Sequence, residues 1–135
     1  MPQTVAVLGA GGRMGRAATG AFLAAGWHVR AAARKAVDAG AAEAIECDAF
    51  ETPALLAAAQ SCDVIVNALN PPYPRWRHDL PRLNANVIAA ARGTGATVMI
   101  PGNVYNYGAA MPERLSEQTP QAPTSRKGRL RRDME

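Results

Sequence analysis

Apolar and polar positions along the chain change period several times. Thr4–Ala10 (TVAVLGA) is an unbroken run of small and branched apolar residues, the pattern of a parallel strand buried on both faces. From Arg13 onward, Met14, Ala18, Ala21, Phe22 and Ala25 recur at helical spacing until Gly26 stops them. WHVRAAAR predicts a second strand, AEAIECD a short third, DVIVNAL a fourth and TVMIPG a fifth. ETPALLAAAQ predicts a helix with Thr52 as N-cap and Pro53 at the first helical position, where a missing N–H costs nothing. Leu80, Leu83, Val87, Ile88 and Ala91 predict a long amphipathic helix ending at RGTG. PPYPRW predicts a loop, because three prolines in four positions break any ladder. Asn103–Thr124 is loop-rich, and Ser125 caps a last helix.

Five strands are therefore interspersed with four helices, with connections too long for hairpins. That order predicts an α/β fold: a doubly wound parallel sheet of about five strands with helices on both faces. Such sheets bind ligands at the carboxyl ends of their strands, where the strand order reverses. Here the first and fourth strands are expected to flank that crevice.

The 135 residues suit one compact domain, residues 1–135, and much of the 48% hydrophobic content is alanine, which favours close packing of helices on a sheet. No apolar run approaches the roughly 20 residues that span a bilayer. MPQTVAVLGAGG has neither a basic lead nor an apolar signal core, so a cytoplasmic location without membrane contact is expected. Cys47 and Cys62 are too few for a disulfide framework and lack zinc-site spacing, so they read as reduced thiols, and no metal is expected. The net charge of +4 is gathered in SRKGRLRRDME, with Arg126, Lys127, Arg129, Arg131 and Arg132. So short a cluster reads as a solvated helix face before it reads as a nucleic-acid contact.

The chemistry sits in VLGAGGRMG. Gly9, Gly12 and Gly15 are spaced three apart, with Gly11 between the first two and Arg13 and Met14 before the last. Glycine permits the tight turn, lets backbone N–H groups approach a pyrophosphate and lets the helix pack on the strand. A strand-to-helix turn with no ligand is the alternative. An NAD site usually has an acid about 20 residues on. Arg34 and Lys35 stand there instead, with no acid until Asp38. A cation fits a 2′-phosphate, so NADP is favoured with NAD still open, and Arg13 offers a second positive contact. Arg34 and Lys35 otherwise read as a solvated loop.

With GAGGRMG after the first strand, CD after the third, NALNPPY after the fourth and PGNVYNYG after the fifth, nearly the whole chain resembles the short-chain dehydrogenase/reductase superfamily. The likeness is to its extended or atypical branch, the NAD-dependent epimerase/dehydratase-like proteins. The resemblance implies a Rossmann fold and a dinucleotide laid across the strand ends. It implies that Asp48 contacts the adenine and that Asn67, Ala68 and Leu69 line a ribose. Asp48 as a cap on the approach to a helix, and Asn67 as a buried polar group satisfied by backbone, are the alternatives.

The chain departs from that family in its catalytic set. Active members place a tyrosine four positions before a lysine, and the cation tunes the phenol for acid–base work. Lys127 matches the lysine, but Pro123 occupies the tyrosine position and Asn103 stands where a Ser or Thr is expected. Tyr105 and Tyr107 remain as acids, so the catalytic candidates are Tyr107, Lys127 and Asn103. The family's C-terminal substrate lobe is missing from the 135 residues, which suggests a truncated chain whose exposed sheet edge favours a homo-oligomer. The implied activity is that of an epimerase, dehydratase or reductase acting on a nucleotide sugar or small carbonyl compound. The alternative is a non-catalytic NADP-binding module, a remnant or redox sensor; an interaction protein with a basic tail is a third reading.

Overall fold

The computed structural model describes all 135 residues, which fall into two compact units. The first comprises Met1–Asn70 and Arg82–Pro101, and the second Pro71–Pro81 and Gly102–Glu135.

The first unit is built on a five-stranded sheet. Its strands are β1 (Thr4–Leu8), β2 (His28–Ala33), β3 (Glu43–Glu46), β4 (Val64–Asn67) and β5 (Thr97–Met99), in the order β3-β2-β1-β4-β5 with every pairing parallel. The helices are α1 (Arg13–Ala24), α2 (Thr52–Ala59) and α3 (Trp76–Thr94), the last joining this unit from Arg82 onward. Successive side chains of a strand point to opposite faces, and each face here has its own core. Val5, Val7, Val29, Ala31 and Val66 pack with Ala18, Phe22 and Leu23 of α1. Leu8, Ala32 and Ile65 pack with Leu55, Ala58 and Ala59 of α2 and with Leu83, Val87 and Ala90 of α3. The α/β fold with helices on both faces is as the sequence predicts, and the order reverses between β1 and β4, where Leu8 is in register with Asn67.

Several boundaries differ from the sequence reading. β1 ends at Leu8 because Gly9 turns away with a φ of +73°, a conformation that glycine adopts without strain. The N-cap of α2 is Glu51 and not Thr52, and Pro53 is the second helical residue. The Thr52 hydroxyl is instead a donor to Asn86 Oδ1 at 3.1 Å. PPYPRW is not loop throughout: Tyr73–Arg75 forms a 3-10 turn that runs into α3 at Trp76. Pro81 lies inside α3, where it removes one backbone donor from the helix.

The second unit joins that 3-10 turn and the start of α3 to a second 3-10 turn, Val104–Tyr107, and to α4 (Arg126–Met134). Ser125 caps α4, its Oγ accepting from Gly128 N at 3.0 Å. A Cβ at Gly128 would run into the carbonyl oxygen of Tyr105, so glycine lets α4 lie directly on the second turn. Trp76 is buried, meeting Tyr73 at 4.8 Å and Tyr105 at 6.4 Å between ring centroids, and its Nε1 donates to Pro71 O at 2.9 Å.

Within the first unit, α1 sits on the end of β1 only because Gly15 has no side chain. A Cβ there would run into Gly9 O and lie 2.7 Å from Ala10 Cα. At Gly12 the nearest atom would be Gly9 O at 3.4 Å, an ordinary contact, and the φ of −80° suits any residue. Gly15→Ala is therefore expected to destabilise the protein by about 3 kcal/mol in urea unfolding, and Gly12→Ala by less than about 1 kcal/mol. Leu55→Ala, at a fully buried position, should cost about 2–5 kcal/mol in the same assay. Equal effects at the two glycines would contradict this packing.

Candidate dinucleotide site

At the point where the strand order reverses, the chain passes from β1 through a tight turn into α1. Gly12 N donates to Gly9 O at 3.0 Å, and Arg16 N to Gly12 O at 3.0 Å. Gly12 occupies the N-cap position of α1 and no side chain caps it. The N–H groups of the first helical turn thus stay available, at the positive end of the helix dipole. Arg13 and Met14 are both exposed on this turn, and the α1 first turn has no acidic residue.

The neighbouring strand end closes in on the same turn. A Cβ on Gly9 would lie 2.7 Å from Ala68 O and 3.3 Å from Leu69 N, so the end of β1 touches the backbone that follows β4. Ala68 N donates to Leu8 O at 3.1 Å. Asn67 is buried, and its Oδ1 accepts from Leu69 N at 3.2 Å. The structure thereby brings Gly9–Gly15 and Asn67–Leu69 together at one end of the sheet, and Asn67 also satisfies backbone, as its alternative reading has it.

The segment after β2 reaches the glycine turn too. A Cβ on Gly11 would meet Val37 Cγ1 at 3.3 Å, and Val37 packs into the α1-side core. Arg34 and Lys35 leave β2 just past Ala33 and are exposed. Asp38, the nearest acid, uses Oδ1 to accept from Gly40 N at 3.2 Å. Asp48 follows β3 at the same end of the sheet; it is exposed and its Oδ1 accepts from Phe50 N at 3.0 Å. Burial, and then the Asp48 charge, push the adjoining Cys47 thiol up from its ordinary value, so this cysteine is poorly disposed to act as a nucleophile.

Of the three catalytic candidates, Asn103 and Tyr107 share the second 3-10 turn, where Asn103 Oδ1 accepts from Tyr105 N at 2.8 Å. Lys127 directs its Nζ to the face of Tyr73, 3.9 Å from the ring centroid. That cation–π contact involves Tyr73, the last residue of NALNPPY, to which the sequence reading assigns no role of its own. The hydrogen bond of Tyr105 with Tyr73 pushes the Tyr105 phenol up, away from neutral-pH acid–base work. Asn86 is a further residue not signalled by spacing: its amide joins Thr52 to the backbone of Ala49 and Phe50.

A nicotinamide dinucleotide fits this arrangement, because no side chain caps the first N–H groups of α1 and the exposed Gly12 leaves their backbone open to a phosphate. Residues 9–129 match the NAD(P)H-binding family. No functionally curated protein matches the chain. Among solved structures, a variant of uronate dehydrogenase from Agrobacterium tumefaciens complexed with NAD superposes with a TM-score of 0.80 at 22% identity, covering 99% of this chain and 54% of that one. UDP-N-acetylglucosamine 4-epimerase from Bacillus cereus gives 0.80 at 16%, covering 98% and 48%. A UDP-galactose 4-epimerase gives 0.79 at 22%, covering 98% and 49%. The chain thus spans about half the length of these solved proteins. No helix is long and apolar enough to cross a membrane. The resemblance read from the glycine turn and the strand ends is borne out: the chain belongs to the NAD(P)H-binding family, and its sheet and helices form an NAD(P)-binding domain.

Proposed function

We propose that the turn Gly9–Gly15 holds the pyrophosphate of NADP against the first turn of α1. The observation that carries this reading is the division among the glycines. Gly9 and Gly15 are needed by the fold, while Gly12 has room for a side chain and faces solvent, so its freedom serves a ligand's approach. In this reading Gly11, Arg13 and Met14 border the phosphates, Asp48 meets the adenine, and Asn67, Ala68 and Leu69 line a ribose. Arg34, with Lys35 beside it, meets the 2′-phosphate. That choice over NAD is supported by Arg34 and Lys35, exposed just past Ala33 at the end of β2, where an NAD site usually carries an acid.

The chain is then the dinucleotide-binding part of an oxidoreductase or epimerase acting on a nucleotide sugar or small carbonyl compound. The bound nicotinamide supplies two-electron chemistry, while the protein supplies position and electrostatics. Tyr107, Asn103 and Lys127 are the proposed acid–base and ribose-holding groups. A second reading, a dinucleotide-binding module without catalysis, is favoured by one specific feature: Pro123 stands four residues before Lys127, and Lys127 is engaged by Tyr73. Two buried, unpaired cysteines support a reducing, cytoplasmic setting.

Calorimetric titration tests the site. Gly12→Val should leave the melting temperature near that of the parent chain and lower NADPH affinity by about a hundredfold, or ~2.7 kcal/mol. Arg34→Asp should weaken NADPH by about tenfold or more while changing NADH by less than about threefold. Equal losses for the two cofactors would remove the 2′-phosphate role, and undiminished binding by Gly12→Val would remove the phosphate assignment.

A further inference from the structure

The turn between β3 and α2 is held more firmly than its place on the surface requires. Asp48 Oδ1 accepts from Phe50 N at 3.0 Å, and Glu51 N donates to Asp48 O at 2.9 Å. From α3, Asn86 Nδ2 donates to Ala49 O at 3.0 Å and to Phe50 O at 3.2 Å, while its Oδ1 accepts from Thr52 Oγ1 at 3.1 Å. Both donors and the oxygen of one amide are thus spent on three residues of this turn, Ala49, Phe50 and Thr52. One helical turn earlier, the Arg82 guanidinium lies over the Phe50 ring, 4.9 Å from its centroid. Ala49 and Phe50 pack on the core between the sheet, α2 and α3, whereas Asn86 is half-buried and Arg82 exposed, so the two polar residues hold the turn from its solvent side. What the two residues fix in common is the backbone that presents the exposed Asp48 carboxylate.

We infer that Asn86, assisted by Arg82, is a positioning residue for the adenine end of the dinucleotide: it holds the Asp48–Thr52 turn in the one conformation that aims Asp48. The inference rests on the proposed dinucleotide site and adds to it two residues of α3 that touch no ligand. The physical basis is pre-organisation. An exposed turn that must be ordered when the ligand arrives loses binding free energy to that ordering, and a turn already ordered does not. Asn86→Asp makes the point sharply, because a carboxylate keeps the acceptor for Thr52 but sets oxygen against the carbonyls of Ala49 and Phe50.

The test uses the whole chain and three ligands: NADPH, ADP-ribose as the adenine half and reduced nicotinamide mononucleotide as the other half. Asn86→Ala, Asn86→Asp and Arg82→Met should each weaken NADPH and ADP-ribose by about three- to tenfold and leave the mononucleotide unchanged. Asp48→Ala/Asn86→Ala should bind NADPH no more weakly than Asp48→Ala alone, because the second change acts through the first residue. A structural role alone would lower the melting temperature and affect both halves equally. Additive losses in the double variant, or equal losses on the two halves, would overturn the inference. Should Asn86→Ala fail to fold, Arg82→Met, at an exposed position, decides by the same comparison. A parent chain that binds none of the three ligands removes the dinucleotide site itself, whereas a parent that binds alongside unaffected variants removes only the role of Asn86.

Discussion

The first unit depends on how closely α1 approaches the end of β1. Gly15 rests on the backbone of Gly9 and Ala10 at a separation that no side chain tolerates. That contact fixes where the helix begins, and therefore where its first N–H groups point. Gly9 makes the matching approach on the other side, against Ala68 at the end of β4. Two glycines thus lock three chain segments together at the place where the strand order reverses. A sheet of this order has its natural crevice there, and the helix dipole gives the crevice a positive wall.

The neighbouring segments are arranged around that lock with different degrees of freedom. Val37 seats the loop after β2 against Gly11, which brings Arg34 and Lys35 to the same end of the sheet. Asn86 and Arg82 hold the turn after β3. Asn67 stabilises the turn after β4 by accepting from Leu69 N. The exposed groups on these segments, Arg34 and Asp48 among them, are carried by backbone that is already ordered. Pre-organised backbone with free polar ends is what a charged ligand requires, since little conformational entropy is then lost on binding.

Much of this was legible in the sequence. Val5–Leu8 and Val64–Asn67 read as buried parallel strands because both faces of the sheet are covered, which removes polar alternation. The glycine spacing located the crevice because turn geometry is a local property. Contacts between distant segments were not legible. Thr52 looks like an N-cap from its neighbours alone, yet its hydroxyl is taken by Asn86, 34 residues away, and Glu51 holds the N-cap position of α2. Lys127 matches the family lysine by its place at the start of the last helix, but its ammonium lies on Tyr73, in a proline-rich stretch that reads as plain loop. Spacing also treats the glycines alike. Only their surroundings separate Gly9 and Gly15, which have no room for a side chain, from Gly12, which has.

The most direct measurement is of the backbone amides of residues 11–15 by nitrogen–proton correlation spectroscopy while NADPH is added to labelled protein. The account predicts saturable shifts at Gly11, Gly12, Arg13, Met14 and Gly15, with Arg34 and Asp48 following the same binding curve. Shifts confined to the basic helix α4, or none at the glycine turn while the sheet stays folded, would contradict the claim that this turn holds the dinucleotide's phosphates.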